Sequence, residues 1–292
     1  MHSFTIKDLE NLSGIKAHTI RIWEHRYSFL KPERSETNIR HYNNEELRKL
    51  LNVALLNKYG FKISHIDKMD EIEINQKILS LNQGQAHQER ILNELIRHMI
   101  NLDIEKFELL LDDYIIARGT EKAIIQIIFP FLEKIGILWL TNHINPAQEH
   151  IITNIIRQKL IFSLENLGKI VEINKTILLF LPEGEYHELG LLFMHYLLKN
   201  RGAKIIYMGC NVPLADIEYV VNIKKPDYLF AHLTSRSHKF NFDKFMSSIS
   251  KNFQGTPVIL SGQLVKDHRK KVHAPIFFKK NFSEVMEFVL EL

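Results

Sequence analysis

The period of the apolar pattern changes twice along this 292-residue chain, and that change constrains the fold more than any other feature. Residues 1–75 hold short helical patterns broken by a polar, charged stretch. Over 76–170, apolar residues recur at spacings of three and four, the mark of helices with one buried face. From 171 to 292, short apolar runs alternate with helical patterns, as in an open parallel sheet with covering helices. The predicted fold class is multidomain, α and α/β. It comprises a winged helix-turn-helix over 1–75, a four-helix bundle over 76–170 and a Rossmann-like parallel sheet over 171–292. A single Cys excludes a disulfide framework and a Cys-rich zinc site, and fits a reducing cytoplasm. The chain starts without the apolar core of a signal peptide, and no run approaches ~18 apolar residues, so neither export nor a membrane span is expected.

In the first region Thr5 is placed to cap a helix carrying Leu9 and Leu12, Ser13-Gly14 reads as a tight turn, and Ile15, Ile20 and Trp23 resume helical spacing. Two short helices joined by a Gly-containing turn form a helix-turn-helix signature. Pro32 ends any helix there. The polar turn 35–38 followed by Ile39-Arg40-His41-Tyr42 then predicts a small β-wing, and Asn43 caps the next helix. Residues 16–40 carry six Lys/Arg against three Glu, a net +3 beside +4 for the whole chain. Lys16, His18, Thr19 and Arg21 have the polar and basic character that a helix needs to read base edges. Arg34, Arg40 and Tyr42 are suited to phosphates, and Arg26 joins the DNA-binding set. By composition alone, a solvated basic face accounts for the same residues.

The middle region predicts helices around Ile91–Ile100 and Phe107–Ile115, with Asp103 as a cap between them. A third spans 120–140, and a fourth opens at Asn145-Pro146. Trp139 and Glu149-His150 lie near one helix junction, where they could rim a pocket or simply be core and surface residues. In the last region, strands are predicted at 175–181, 204–208, 228–233, 258–260 and 276–278. Ligands of such sheets bind at the carboxyl ends of the strands. The loop after the first of these strands has no GxGxxG, which argues against a phosphate loop. It does hold Glu185-x-His187-x-x-Gly190. A His at a strand-to-helix turn can offer a ring nitrogen to a metal while the carboxylate sets its tautomer, and Gly190 allows close approach. Read in isolation, His187 is equally a surface histidine.

Two ordered patterns go further. Thr19-Ile20-Arg21-Ile22-Trp23-Glu24-His25-Arg26-Tyr27, then Leu30-Lys31-Pro32-Glu33-Arg34 and Asn38-Ile39-Arg40-His41-Tyr42, resemble the DNA-binding domain of the MerR superfamily. That resemblance implies a winged helix-turn-helix bound as a dimer to a near-palindromic double-stranded DNA operator. Arg21 would lie in the recognition helix, with Arg40 and Tyr42 in the wing. Glu185-x-His187-x-x-Gly190 resembles the Asp/Glu-x-His-x-x-Gly motif of cobalamin-binding domains, and 207–213 is similar to their second strand and turn. Trp139-x9-Glu149-His150 resembles their helical cap motif. Together these resemble the CarH/LitR-type photoreceptor repressors of the MerR superfamily. The implied ligand is adenosylcobalamin, with His187 below cobalt and Trp139, Glu149 and His150 around the adenosyl group. The implied behaviour is a homo-oligomer, dimer or tetramer, whose operator binding responds to ligand and light.

Several positions depart from the family pattern. Asn38 stands where many members have Gly. Ala231-His232-Leu233, with Thr234 and Ser235 beyond, replaces a Ser-x-Leu motif that contacts the nucleotide tail. Ser261-Gly262 replaces a Gly-Gly pair, and Leu140 follows the cap Trp where some members have a cobalt-binding His, with His143 nearby. One alternative is therefore a regulator of the same fold that has lost cobalamin and works as an apoprotein or with a protein partner. A cobalamin-dependent enzyme component is the other, opposed by the absence of a substrate barrel and of an evident catalytic acid–base pair.

Overall fold

The structure, a computed structural model, describes residues 4–35, 38–81, 84–140, 145–168, 170–234, 240–269 and 272–292, without the side chains of 137–140. The chain forms two compact units, Met1–Ile155 and Ile156–Leu292.

In the first unit, α1 (Ile6–Ser13) begins with a capping box between Thr5 and Asp8 and ends at Gly14, whose φ of 73° suits a residue without Cβ. α2 (Ala17–Arg26) buries Ile20 and Trp23. The wing is β1 (Glu33–Arg34) paired antiparallel with β2 (Arg40–His41), and a bridge from Phe4 to Tyr42 ties the N-terminal segment to it. α3 (Asn44–Lys58) starts with a second capping box, Asn43 with Glu46. Glu46 also accepts the Lys31 N–H at 2.8 Å, which anchors the chain entering the wing. The short α4 (Ile63–Ile66) and α5 (Glu71–Ser80) follow.

α6 (Gly84–Asn101) packs on α3 and on α7 (Ile104–Arg118). Asp103 precedes α7 but makes no side-chain cap bond; its carboxylate instead lies 3.2 Å from Nδ1 of the buried His98. The expected helix over 120–140 is α8 (Thr120–Ala123), a π-turn at Ile124–Ile128 and α9 (Phe129–Leu140). At the π-turn the Phe129 N–H reaches back five residues to the Ile124 carbonyl, and Pro130 next to it has no N–H to offer the regular ladder. α10 (Pro146–Glu165) completes the four helices. Gln148, buried near its start, donates to the Ile100 carbonyl at 2.8 Å and accepts the Asn145 N–H at 2.8 Å, stitching α10 to the end of α6.

The second unit is built on five parallel strands in the order β4-β3-β5-β6-β7. They are β3 (Thr176–Pro182), β4 (Lys204–Val212), β5 (Tyr228–His232), β6 (Val258–Ser261) and β7 (Ile276–Lys279). β4 runs four residues beyond its predicted end. The helices are α11 (Leu189–Asn200), α12 (Leu214–Lys224), α13 (Phe242–Asn252), α14 (Gln263–Asp267) and α15 (Phe282–Leu290). Leu178, Phe180, Leu229, Ala231, Val258 and Leu260 form one core with Ile217 of α12, Ile249 of α13 and Val265 of α14. Because side chains alternate along a strand, His232 and Ser261 belong to the opposite face, that of α11. The chain leaves β3 toward β4 and then returns past it to β5, so the topological switch lies between the carboxyl ends of β3 and β5.

Candidate functional site

The exposed face of α2 presents Lys16 at its N-cap, then His18, Arg21 and Arg26, with Thr19 half-buried. Arg21 and Arg40 share a depression of about 240 Å³ with Thr5, Ile6, Asn38 and Ile39, so helix and wing present their basic groups on one surface. Glu24, almost buried, organises that junction. Arg40 Nε donates to both of its carboxylate oxygens (3.0 and 2.9 Å), the Tyr42 hydroxyl donates at 3.1 Å, and Arg34 lies 3.7 Å away. Tyr42 is wholly buried, unlike the projecting wing hydroxyl expected for a phosphate contact. Burial first, and then the charge of Glu24, raise its hydroxyl above the usual tyrosine range. Asn38 adopts the left-handed φ of 62° itself and accepts from Arg34 Nη1 at 2.7 Å, which explains how the wing tip manages without Gly. No local spacing marked Glu24 as this hub.

Replacing Glu24 by Gln keeps its shape but removes the charge that holds Arg40. A loss of about 1–3 kcal/mol is expected for a charge-assisted bond, read from denaturant unfolding followed by tryptophan fluorescence. An unchanged midpoint would show that the wing is held by packing alone.

At the switch point of the sheet, the loop after β3 carries Glu185, fully buried, and His187, whose side chain is 57% exposed. Glu185 Oε1 accepts the Tyr186 N–H at 2.9 Å and the His187 N–H at 3.0 Å, and Oε2 accepts the Thr234 N–H at 2.9 Å. These donors require acceptor oxygens, so the 2.6 Å contact between Oε1 and His187 Nδ1 is an Nδ1–H donation. The lone pair of the imidazole then sits on Nε2, the nitrogen suited to a metal. The same carboxylate joins the loops after β3 and β5. Asn211 secures the loop from the other side: its side chain accepts the Gly184 N–H at 3.0 Å and its N–H donates to the Glu185 carbonyl at 3.1 Å.

Gly190, in the first turn of α11, lies against the His232 ring. A Cβ there would be 2.8 Å from both Cγ and Nε2, and closer still to Cδ2. His232 Nδ1 is 2.9 Å from Ser261 Oγ. Burial, partly opposed by Glu185, pushes this imidazole down to about 4, which keeps it neutral. Gly262 has φ 100° and abuts the Leu233 backbone. The structure therefore brings Glu185, His187, Gly190, Ser261 and Gly262 to one end of the sheet, with His232 among them.

Glu188, next to His187, accepts the Tyr207 hydroxyl at 2.9 Å and pairs with Arg157 at 3.4 Å. Burial, then the charge of Glu188, raise the Tyr207 hydroxyl above its ordinary range. Tyr207 stacks on His195 with centroids 4.9 Å apart, and buried His195 Nδ1 has no hydrogen-bond partner among the described residues. Burial, followed by the charge of Lys199, lowers His195 to about 4. Between about pH 6.5 and 4 the unfolded chain binds a proton that the folded chain refuses, so stability falls as pH drops through that window. His195→Phe keeps the stacked ring and removes both the orphan nitrogen and the titration. It is expected to stabilise the unit by ~1 kcal/mol at pH 7 and to reduce its pH dependence, leaving the share that His232 contributes, as thermal melts at pH 7 and 5 would show. A lower melting temperature at pH 7 would mean that Nδ1 is bonded in solution.

On α10, Glu149 is half-buried and lies 3.6 Å from exposed His150. The side chains of Trp139 and Leu140, and residues His143 and Ser235, lie outside the described residues. Among the described residues, no helix is long and apolar enough to cross a membrane.

Comparison with known proteins matches residues 4–71 to the MerR HTH family regulatory protein and residues 91–162 to a B12 binding domain. Two relatives from Myxococcus xanthus are similar along nearly their whole length. The HTH-type transcriptional repressor CarH is 26% identical, with 91% of this chain and 91% of its own covered. The HTH-type transcriptional repressor CarA is 25% identical, with 91% and 89% covered. Among solved structures, the Methanosarcina barkeri monomethylamine corrinoid protein shares the fold at a TM-score of 0.54 and 15% identity, over 70% of this chain and 99% of its own. A match to a MerR helix-turn-helix at one end, a match to a B12 binding domain after it and relatives alike along nearly the whole chain support a MerR-type regulator with a cobalamin-binding domain.

Proposed function

We propose that the chain is a cytoplasmic transcriptional repressor, not an enzyme, that binds a double-stranded operator as a homo-oligomer under the control of adenosylcobalamin and light. Its working parts are a DNA-binding domain at 1–75, a helical cap at 76–170 and a cobalamin domain at 171–292. The observation that carries the ligand reading is the Glu185–His187 pair. A buried carboxylate with three backbone donors fixes the tautomer of an exposed histidine at the switch point of a parallel sheet. That donor set suits a cobalt ligand: His187 would hold the metal and Glu185 would orient His187. When bound, adenosylcobalamin supplies a light-sensitive cobalt–carbon bond.

On the DNA side, Lys16, His18, Thr19 and Arg21 are assigned to the major groove, and Arg26, Arg34 and Arg40 to phosphates, with Tyr42 acting through Glu24. Trp139, Glu149 and His150 are assigned to the adenosyl side on the cap motif alone. A ligand that favours one arrangement of the domains shifts the assembly equilibrium, and DNA binding with it.

The test is an absorption spectrum of the full chain mixed with adenosylcobalamin in the dark, desalted and then illuminated, with size-exclusion of both samples. Retained colour that changes on illumination, together with a change in assembly, supports the proposal. Retained colour without spectral change removes the light step. A colourless protein that still binds DNA favours a regulator working without the cofactor. His187→Ala is expected to lower retention by at least about tenfold, and unchanged retention would remove His187 from the role of metal ligand.

A further inference from the structure

A cavity of about 380 Å³ lies between α3, α5 and α6, and none of the residues assigned to DNA or to cobalamin lines it. Half of its lining is apolar: Leu47, Leu51 and Leu55 of α3, Ile78 of α5, and Ile96 and Ile100 of α6 are all buried. The polar half holds two atoms that the fold leaves unsatisfied. Arg97 Nε is buried without an acceptor, and Asn44 Oδ1 is buried without a donor, among the described residues. Asn44 Nδ2 donates to Asn101 Oδ1 at 3.1 Å, and Asn101 lies one helical turn beyond Arg97, so the two orphan atoms share one end of the cavity. Arg97 Nη2 is 3.3 Å from His98 Nε2, which anchors the guanidinium without using its Nε. Arg48 is already paired, with Glu45 and with Glu71, each at 2.5 Å. Arg90 and Arg97 pair with no carboxylate among the described residues. The lining carries three arginines against Glu71 and Glu94, which leaves one positive charge over. Each orphan costs free energy unless something supplies its partner. Water could satisfy both, but it gains nothing from the apolar half or from the spare charge.

We propose that this cavity is a second ligand site, for a small amphipathic monocarboxylate with an N–H donor beside its carboxylate, of the N-acyl amino acid class. The carboxylate accepts from Arg97 Nε and balances the spare charge, the N–H donates to Asn44 Oδ1, and the apolar body lies on the leucines and isoleucines. The site depends on neither the DNA nor the cobalamin reading. Its walls belong to α3, which follows the wing, and to α6, so occupancy braces these two helices against each other.

The experiment titrates the full chain by calorimetry with N-acetyl-L-phenylalanine as the probe. Two analogues accompany it: N-acetyl-L-phenylalanine amide, which lacks the charge, and 3-phenylpropanoate, which lacks the N–H. The probe is expected to bind with a Kd below about 1 mM, the amide about tenfold more weakly and the phenylpropanoate about fivefold more weakly. Arg97→Met keeps an apolar stem and removes Nε. It should weaken the probe about tenfold and leave the amide within about threefold. Asn93→Trp places a ring in the cavity wall while both orphan atoms remain, and it should abolish binding of all three compounds; it serves if the methionine variant fails to fold. Probe and amide binding equally, a folded variant that binds as the native chain does, or no binding to the native chain up to about 10 mM would each overturn the proposal, leaving a cavity that holds water only.

Discussion

Glu185→Ala is expected to destabilise the sheet unit by about 3–5 kcal/mol, the cost of breaking a buried charged network by removing one partner. The carboxylate is fully buried and accepts from Tyr186, His187 and Thr234 backbone N–H groups as well as from His187 Nδ1. Alanine strands these donors and unties the loop after β3 from the loop after β5. Glu185→Gln keeps the volume but turns an NH2 toward a donor, so about half of that loss is expected. Denaturant unfolding of the three proteins measures it. An alanine variant within ~1 kcal/mol of the parent would show that packing, not the carboxylate, shapes the site. The ligand consequence is separate: a freed His187 loses its fixed tautomer, and retention of a corrinoid should fall about 10–100-fold even where the fold survives.

Gly262→Ala should be nearly as damaging, about 3–5 kcal/mol, by a different mechanism. Its φ of 100° is one that side-chain-bearing residues rarely adopt, and a Cβ would stand 2.7 Å from Leu233 N and 2.8 Å from Leu233 C. That backbone cannot retreat cheaply. The Leu233 N–H donates to Ser261 at 2.8 Å, and its carbonyl accepts from Leu264 at 3.1 Å. Gly190 differs, because its neighbour is the His232 side chain, which can rotate away. A thermal melt of Gly262→Ala close to that of the parent would mean that the β5 and β6 loops are looser than their hydrogen bonds imply.

Features set by residues adjacent in the chain are legible in the sequence itself. Thr5 and Asn43 cap their helices because a side chain there reaches an N–H three residues on. Gly14 ends α1, Pro146 opens α10, and the apolar runs of 171–292 form strands separated by helices. The π-turn before Pro130 and the far end of β4 are not legible there, since each depends on how the surrounding helix or sheet completes its hydrogen bonds.

The candidate sites divide in the same way. The Glu185-x-His187-x-x-Gly190 spacing puts three groups in one turn, and the sequence by itself determined that they would be close. It likewise determined a basic helix followed by a basic wing. Only the tertiary structure decided that Tyr42 turns inward to Glu24, that Gln148 joins α10 to α6, and that His232 lies over Gly190 beside Ser261. These partners are 18 to 48 residues apart in the chain. No propensity or periodicity relates them; strand order and the alternation of side chains across the sheet do, because they choose which distant groups share a face.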